Sequence, residues 1–320
     1  MRGGSTRSNR VKVNGPPPQS ASGLPYALGA HAIWGSMPLY LLLVKSVPPV
    51  EFVAWRIVLT LPLCLAVIGW KRMGGELRSV LADRRAFLTL FGSATMVAGN
   101  WLLYVWAIQS GHVYAASLGY YILPLAMMLL GLLVLGERIS PLQWVAVALA
   151  GAGVAALAAG ALTTLWVSLG MAASFGIYGL LRKTVAAGSL VGLTIESLIL
   201  FPIALAVTAW YAASPAGSAM GRSLGLSLAI AGSGPMTAVP LLMFALAARR
   251  MPYTVMGFLQ FLSPTVVFLI GLFVFGEDLR PAQLACFIAI WAAVGVFTWA
   301  LLRERKAARA ALQAGRNPAP

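Results

Sequence analysis

Ten apolar stretches follow one another along the chain, with only short polar breaks between them. They run at 24–44, 50–70, 86–108, 113–135, 141–160, 164–181, 190–211, 224–248, 253–275 and 281–302. Each approaches the roughly 20 apolar residues that an α-helix needs to cross a bilayer. The pattern predicts an all-α membrane protein with ten transmembrane helices in one polytopic domain, and no soluble domain. Only Lys45-Ser46-Val47-Pro48-Pro49 divides the first stretch from the second.

The pattern also repeats. At an offset of 140 residues, Pro62, Trp70, Pro124, Gly131, Gly136, Glu137, Pro141 and Gln143 fall on Pro202, Trp210, Pro264, Gly271, Gly276, Glu277, Pro281 and Gln283, without a gap. A looser match at 141 places Gly29, Trp34 and Gly35 on Gly170, Phe175 and Gly176. Two five-helix repeats, 24–160 and 164–302, are therefore expected. An odd number of spans per repeat makes the second copy enter from the opposite side, so the repeats are inverted. The loops agree: residues 71–85 carry five basic groups, and the equivalent 211–225 carries only Arg222.

Composition sharpens this reading. Hydrophobic residues make up 60% of the 320 and charged residues 10%, where a soluble domain carries about 25% charged. A net charge of +15 would suggest nucleic acid in a soluble protein, but its placement points to topology instead. With the N-terminus inside, 19 Lys and Arg fall on the cytoplasmic side, Arg138, Arg182, Lys183, Arg249 and Arg250 among them; Lys45, Arg222 and Arg280 fall on the other. The positive-inside rule puts both termini in the cytoplasm. Residues 1–23 read as a disordered basic cytoplasmic tail and 303–320 as a second basic tail, both suited to an anionic lipid surface. The first apolar run serves as the insertion signal, with no separate signal peptide. Cys64 and Cys286 lie inside apolar helices, so neither a disulfide framework nor a metal site is indicated, and no cofactor is expected.

The candidate functional residues are those that are costly to place in lipid. Arg56 and Glu196 lie within spans and are 140 residues apart, so an ion pair across the repeat interface is expected; it is either a strut or a coupling site in which Glu196 binds a proton or a substrate amine. Glu51 is read as snorkelling to water from a helix end. Pro124 and Pro264 free the carbonyls of Tyr120 and Gln260, either as simple bends or as paired kinks shaping a cavity. Asn100, Trp101 and Tyr104, with Trp34, Tyr120, Tyr121, Tyr178 and Gln260, make an aromatic and amide lining for a small, partly apolar solute. His31 is a helix contact or a proton carrier. Glu137 and Glu277 mark helix-hairpin corners.

At these residues the chain resembles a known family. Gly99-Asn100-Trp101-Leu102-Leu103-Tyr104-Val105-Trp106-Ala107, Ala116-Ser117-Leu118-Gly119-Tyr120-Tyr121-Ile122-Leu123-Pro124-Leu125, the run Ser174–Lys183 and Val239-Pro240-Leu241-Leu242 are similar to the RarD branch of the EamA family, in the drug/metabolite transporter superfamily. The resemblance covers about residues 24–302. It implies ten helices in two inverted repeats, a bacterial cell membrane and carrier-type transport; the branch carries the name chloramphenicol-sensitivity protein. Leu123 stands where the branch often has Asn before the proline, a departure that bears on specificity.

The expectation is thus a permease moving a small organic metabolite or drug-like solute by alternating access, with export and proton coupling through Glu196 as the expected mode. Its partners are that solute and the lipid bilayer; the oligomeric state is left open between monomer and homodimer. A channel-like facilitator or a non-transporting scaffold is the alternative. A membrane-embedded enzyme finds no support, since both Asp residues lie in loops and no catalytic dyad or metal-binding motif is present. A fluorescent-protein fusion after Arg316 is expected to glow, and an alkaline phosphatase fusion within 211–222 to be active. An inactive phosphatase at the second site would overturn the orientation.

Overall fold

The computed structural model describes residues 23–110, 112–276 and 281–316. The first 22 residues of the basic tail, the corner residue Glu277, Arg280 and the last four residues lie outside the described residues. Among the described residues nine stretches are long and apolar enough to cross a membrane. The remaining predicted span, 24–44, is divided into α1 (Leu24–Gly35) and α2 (Met37–Leu43). Pro38 accounts for the division: it brings no N–H to the helix ladder, and its ring crowds the carbonyl of Trp34. The Ser36 hydroxyl closes the break by donating to the Ile33 carbonyl at 2.9 Å.

The next spans are α3 (Pro49–Trp70), α5 (Arg84–Gln109), α6 (Val113–Leu133) and α7 (Pro141–Ala158), the last extended by a 3₁₀ segment at Ala159–Thr164. Between α3 and α5 lies α4 (Gly74–Ala82), a short helix in the basic loop that the apolar pattern does not register. Asp83 then starts α5 by accepting from the backbone N–H of Arg85 at 2.9 Å and of Ala86 at 3.1 Å, an N-cap. The second half runs α8 (Leu165–Thr184), α9 (Ser189–Ala213), α10 (Leu224–Arg250), α11 (Tyr253–Leu259), α12 (Leu262–Phe273) and α13 (Pro281–Arg316). α13 continues helically through most of the basic segment read as a tail.

The two expected proline kinks are unequal. Among the described residues α6 runs unbroken past Pro124, whereas the ninth span divides into α11 and α12 at Gln260–Phe261, four residues before Pro264. The freed Gln260 carbonyl instead accepts from Ser263 N–H at 3.3 Å. α11 crosses α6 at Gly257, where a Cβ would come within 2.8 Å of the Pro124 carbonyl. The helix of Pro124 therefore meets at that glycine the helix that precedes Pro264.

The halves interlock. α8 packs on α5 and α6, α1 on α10 and α12, α3 on α9, and α7 on α13. The α7–α13 seam is built from small residues: Ala146, Ala150 and Gly153 face Cys286, Ala289 and Ala293. Close backbone approach of this kind supplies the dispersion that holds helices together in lipid.

Two acidic residues close the fold at its ends. Glu51 does not snorkel. It is fully buried, and its Oε1 accepts from the Ser218 hydroxyl at 2.6 Å, Ala219 N–H at 2.8 Å and the Trp55 indole at 3.3 Å. The loop between α9 and α10 folds over it and takes the place of water. Glu137 accepts from the backbone N–H groups of Tyr253 at 2.6 Å and Thr254 at 2.7 Å. It thus ties the corner before α7 to the first turn of α11, where free N–H groups and the helix dipole favour an anion. Glu137→Ala is expected to cost about 2–3 kcal/mol and Glu137→Gln less, because hydrogen bonds to a charged acceptor are the stronger ones. Thermal unfolding in detergent checks both variants.

Candidate functional site

Five helices, α3, α5, α8, α9 and α10, surround a cavity inside the bundle. Its polar lining is Thr60, Trp101, Tyr178, Glu196, Ser197 and Thr237, set among Ile57, Val97, Leu193, Leu200 and Leu241. Each helix contributes polar and apolar residues or one of the two. The result is a small, largely apolar space of about 20 Å³, room for about one water, with a few convergent polar groups of the kind that line small-molecule sites.

Glu196 is held by two partners. The Ser93 hydroxyl of α5 donates to its Oε1 at 2.5 Å, and the Arg182 Nε of α8 lies 3.6 Å from the same oxygen. Both members of this ion pair are almost fully buried. This pair corrects two readings of the sequence. The partner of Glu196 is Arg182 rather than Arg56, and Arg182 is not a loop charge. The reason is local. Arg182 sits in the last turn of α8, and its guanidinium runs inward across α9 at Gly192, where a Cβ would stand 1.7 Å from Nη1. Its Nη2 donates to the Ser189 carbonyl at 2.7 Å. Lys183, the next residue, points the other way and donates to the carbonyls of Ala248 and Met251 at the end of α10. The sequence did hold a signal for Arg182: a lone intramembrane carboxylate needs a cation, and this is one of the few within reach.

Arg56 adjoins two residues of the cavity lining without being one of them. Its Nε donates to the Thr237 hydroxyl at 2.8 Å, and its guanidinium carbon is 5.1 Å from the Trp101 ring centroid and 5.9 Å from that of Phe52. Thr237 and Trp101 both line the cavity. Tyr104 and Tyr120 face each other with ring centroids 6.3 Å apart and lie, with Tyr40, within electrostatic range of Arg56.

The other expected lining residues are dispersed. Asn100 is turned away from the cavity: its Nδ2 donates to the Met171 carbonyl at 2.9 Å and the Ser174 hydroxyl at 3.3 Å, joining α5 to α8. Trp34 packs beside the site in an aromatic cluster with Phe175 and Phe244, each ring centroid 5.6 Å from its own; Phe175 lies 5.3 Å from Tyr178. Tyr121 packs against the α7–α13 core. Gln260 is buried at the α11–α12 break, and its Oε1 finds no hydrogen-bond donor among the described residues. His31 is buried between α1 and α12, with Nδ1 3.2 Å from the Ser263 hydroxyl. Thr60, Ser93, Ser197 and Thr237 escaped the sequence reading, because a hydroxyl in an apolar helix carries no sign of the side it faces.

The Arg182–Glu196 pair gives a test by mutant cycle. Glu196→Leu or Arg182→Met alone is expected to destabilise by about 3–5 kcal/mol, since each leaves a buried charge alone, and the double variant to recover most of the loss. Gly192→Ala should reproduce much of the single-variant defect by pushing the guanidinium aside. Unfolding midpoints in detergent measure all four.

Comparison with known proteins follows the same lines. Residues 21–159 match the EamA-like transporter family. An uncharacterized transporter of Pseudomonas aeruginosa is 41% identical over 285 residues, which is 87% of this chain and 95% of that protein. Protein RarD of Streptomyces exfoliatus is 38% identical over 297 residues, 92% of this chain and 94% of its own. A solved crystal structure superposes with a TM-score of 0.70 at 16% identity, covering 87% of this chain and 97% of the other, a likeness of fold. With helices, cavity and relatives in agreement, the chain belongs to the EamA-like transporter family, on its RarD branch, and is a multi-pass membrane transporter.

Proposed function

We propose that this transporter is a secondary carrier that moves a small organic solute across the bacterial cell membrane by alternating access, through the cavity between α3, α5, α8, α9 and α10. The observation that carries the reading is Glu196, an acid at membrane depth that lines the cavity and is matched by a buried cation. Intramembrane ionisable groups are costly, and they are typically found where an ion or solute must pass. Glu196 is the coupling carboxylate in this reading. A proton arriving from the cavity neutralises it and frees Arg182, and the packing of α8 on α9 changes with it.

The halves 24–160 and 164–302 act as inverted repeats. The 140-residue echo supports this, and so does the packing. α5, third in the first half, packs on α8 and α9; α10, third in the second half, packs on α1 and α3. Each half thus lays its third helix on the first two of the other. Both termini are cytoplasmic in this reading.

Metabolite profiling of a deletion strain against its complemented parent identifies the solute and the direction of movement. The solute is then followed in proteoliposomes. A carrier gives saturable flux and counterflow; flux that rises linearly with concentration and shows no counterflow would mean a channel-like facilitator. Glu196→Gln is expected to flatten the pH dependence of net flux. Unchanged pH dependence in that variant would remove the coupling role and leave the carrier reading intact.

A further inference from the structure

The charges around the cavity do not cancel. Glu196 is matched by Arg182 at 3.6 Å, so that pair contributes no net charge. Arg56 is held by neutral groups, the Thr237 hydroxyl and the faces of Trp101 and Phe52. Tyr40, Tyr104 and Tyr120, which stand near it, carry hydroxyl groups rather than carboxylates. The other acid on its own helix, Glu51, lies five residues away, on a different face, and its hydrogen bonds go to Trp55, Ser218 and Ala219. Among the described residues no carboxylate stands in ion-pair range of Arg56. A surplus positive charge therefore sits beside the lining of an apolar, aromatic cavity.

From this we infer that the solute is a small organic anion, one carboxylate or phosphate group on an apolar body, and that Arg56 is the residue that selects its charge. The inference rests on the carrier reading for the use of the cavity. A guanidinium presents a fork of N–H donors that matches either oxyanion, and here its Nε is engaged by Thr237, which fixes the plane of the fork. The Thr237 hydroxyl accepts from Arg56 and keeps its own proton to donate. Trp101 supplies a flat face for the apolar body, with Ile57 and Leu241 beside it. The surrounding low dielectric strengthens the attraction to an anion, while a cation would meet both the surplus charge and the cost of desolvation.

The test uses matched probes on the purified full-length protein in uncharged detergent. Phenylacetate is compared with phenylacetamide, benzyl phosphate with benzyl alcohol, and phenethylamine stands for the cations; each is titrated by thermal shift. The expected result is stabilisation by at least one of the two anions, with its uncharged counterpart and the amine at least about tenfold weaker, the range of one charged hydrogen bond. Phenylacetate and benzyl phosphate separate a carboxylate solute from a phosphorylated one. Arg56→Gln should lose the preference, and Arg56→Lys should keep part of it, since it retains the charge without the fork. The wild-type comparison alone decides the matter should either variant fold poorly. Equal shifts from anion and uncharged counterpart, a preference for phenethylamine, no shift from either anion, or unchanged anion affinity in a folded Arg56→Gln would overturn the inference. Counterflow of the solute identified by profiling is measured separately, so anion binding without counterflow would leave this inference standing and remove the carrier reading.

Discussion

The ion pair of Arg182 and Glu196 is the constraint on which the interior depends. Two charges brought out of water lose several kcal/mol of hydration each, and their mutual attraction offsets that only in good geometry. Here the geometry is assembled from three helices. α8 brings Arg182, α9 brings Glu196 and the glycine that lets the guanidinium pass, α5 brings Ser93, and Tyr178 of α8 lines the same space. A displacement of any one of them leaves a charge without its partner. The crossing of α8, α9 and α5 is therefore held in register by electrostatics where lipid offers no hydrophobic force to do so.

Much of the fold was legible in the apolar runs, since a bilayer accepts a helix mainly by its length and hydropathy. Where helices break was less legible. Pro62, Pro124, Pro202, Pro235 and Pro240 all sit inside continuous helices, whereas Pro38 and Pro264 accompany breaks. The residue type is the same in each case. What differs is whether the crowded carbonyl finds another donor and whether a neighbouring helix supports the turn, as Ser263 does for Gln260. Such support comes from residues the local sequence does not display.

The site was legible in kind and less so in membership. Trp101, Tyr178 and Glu196 were found because large aromatic and charged groups at membrane depth are rare. Arg182 was missed because it stands beside Lys183 at the end of a span, and two adjacent basic residues there read as a loop. Only the tertiary structure separates them, sending one inward over Gly192 and the other to the end of α10. Glu51 was misread for a similar reason: its distance from a helix end is visible in sequence, but the loop that covers it is not.

The two divided spans lie against each other. α1 packs on α11 and α12, α2 on α12, and the His31–Ser263 contact joins them near both breaks. Both breaks keep hydrogen bonds across them: Leu39 N–H reaches the Ser36 carbonyl at 3.1 Å, Ser263 N–H that of Gln260 at 3.3 Å and Thr265 N–H that of Phe261 at 3.2 Å, while Pro38 and Pro264 bring no N–H of their own. Each divided span thus changes direction where it lies against the other, and the turn in one is braced by the helix of its neighbour.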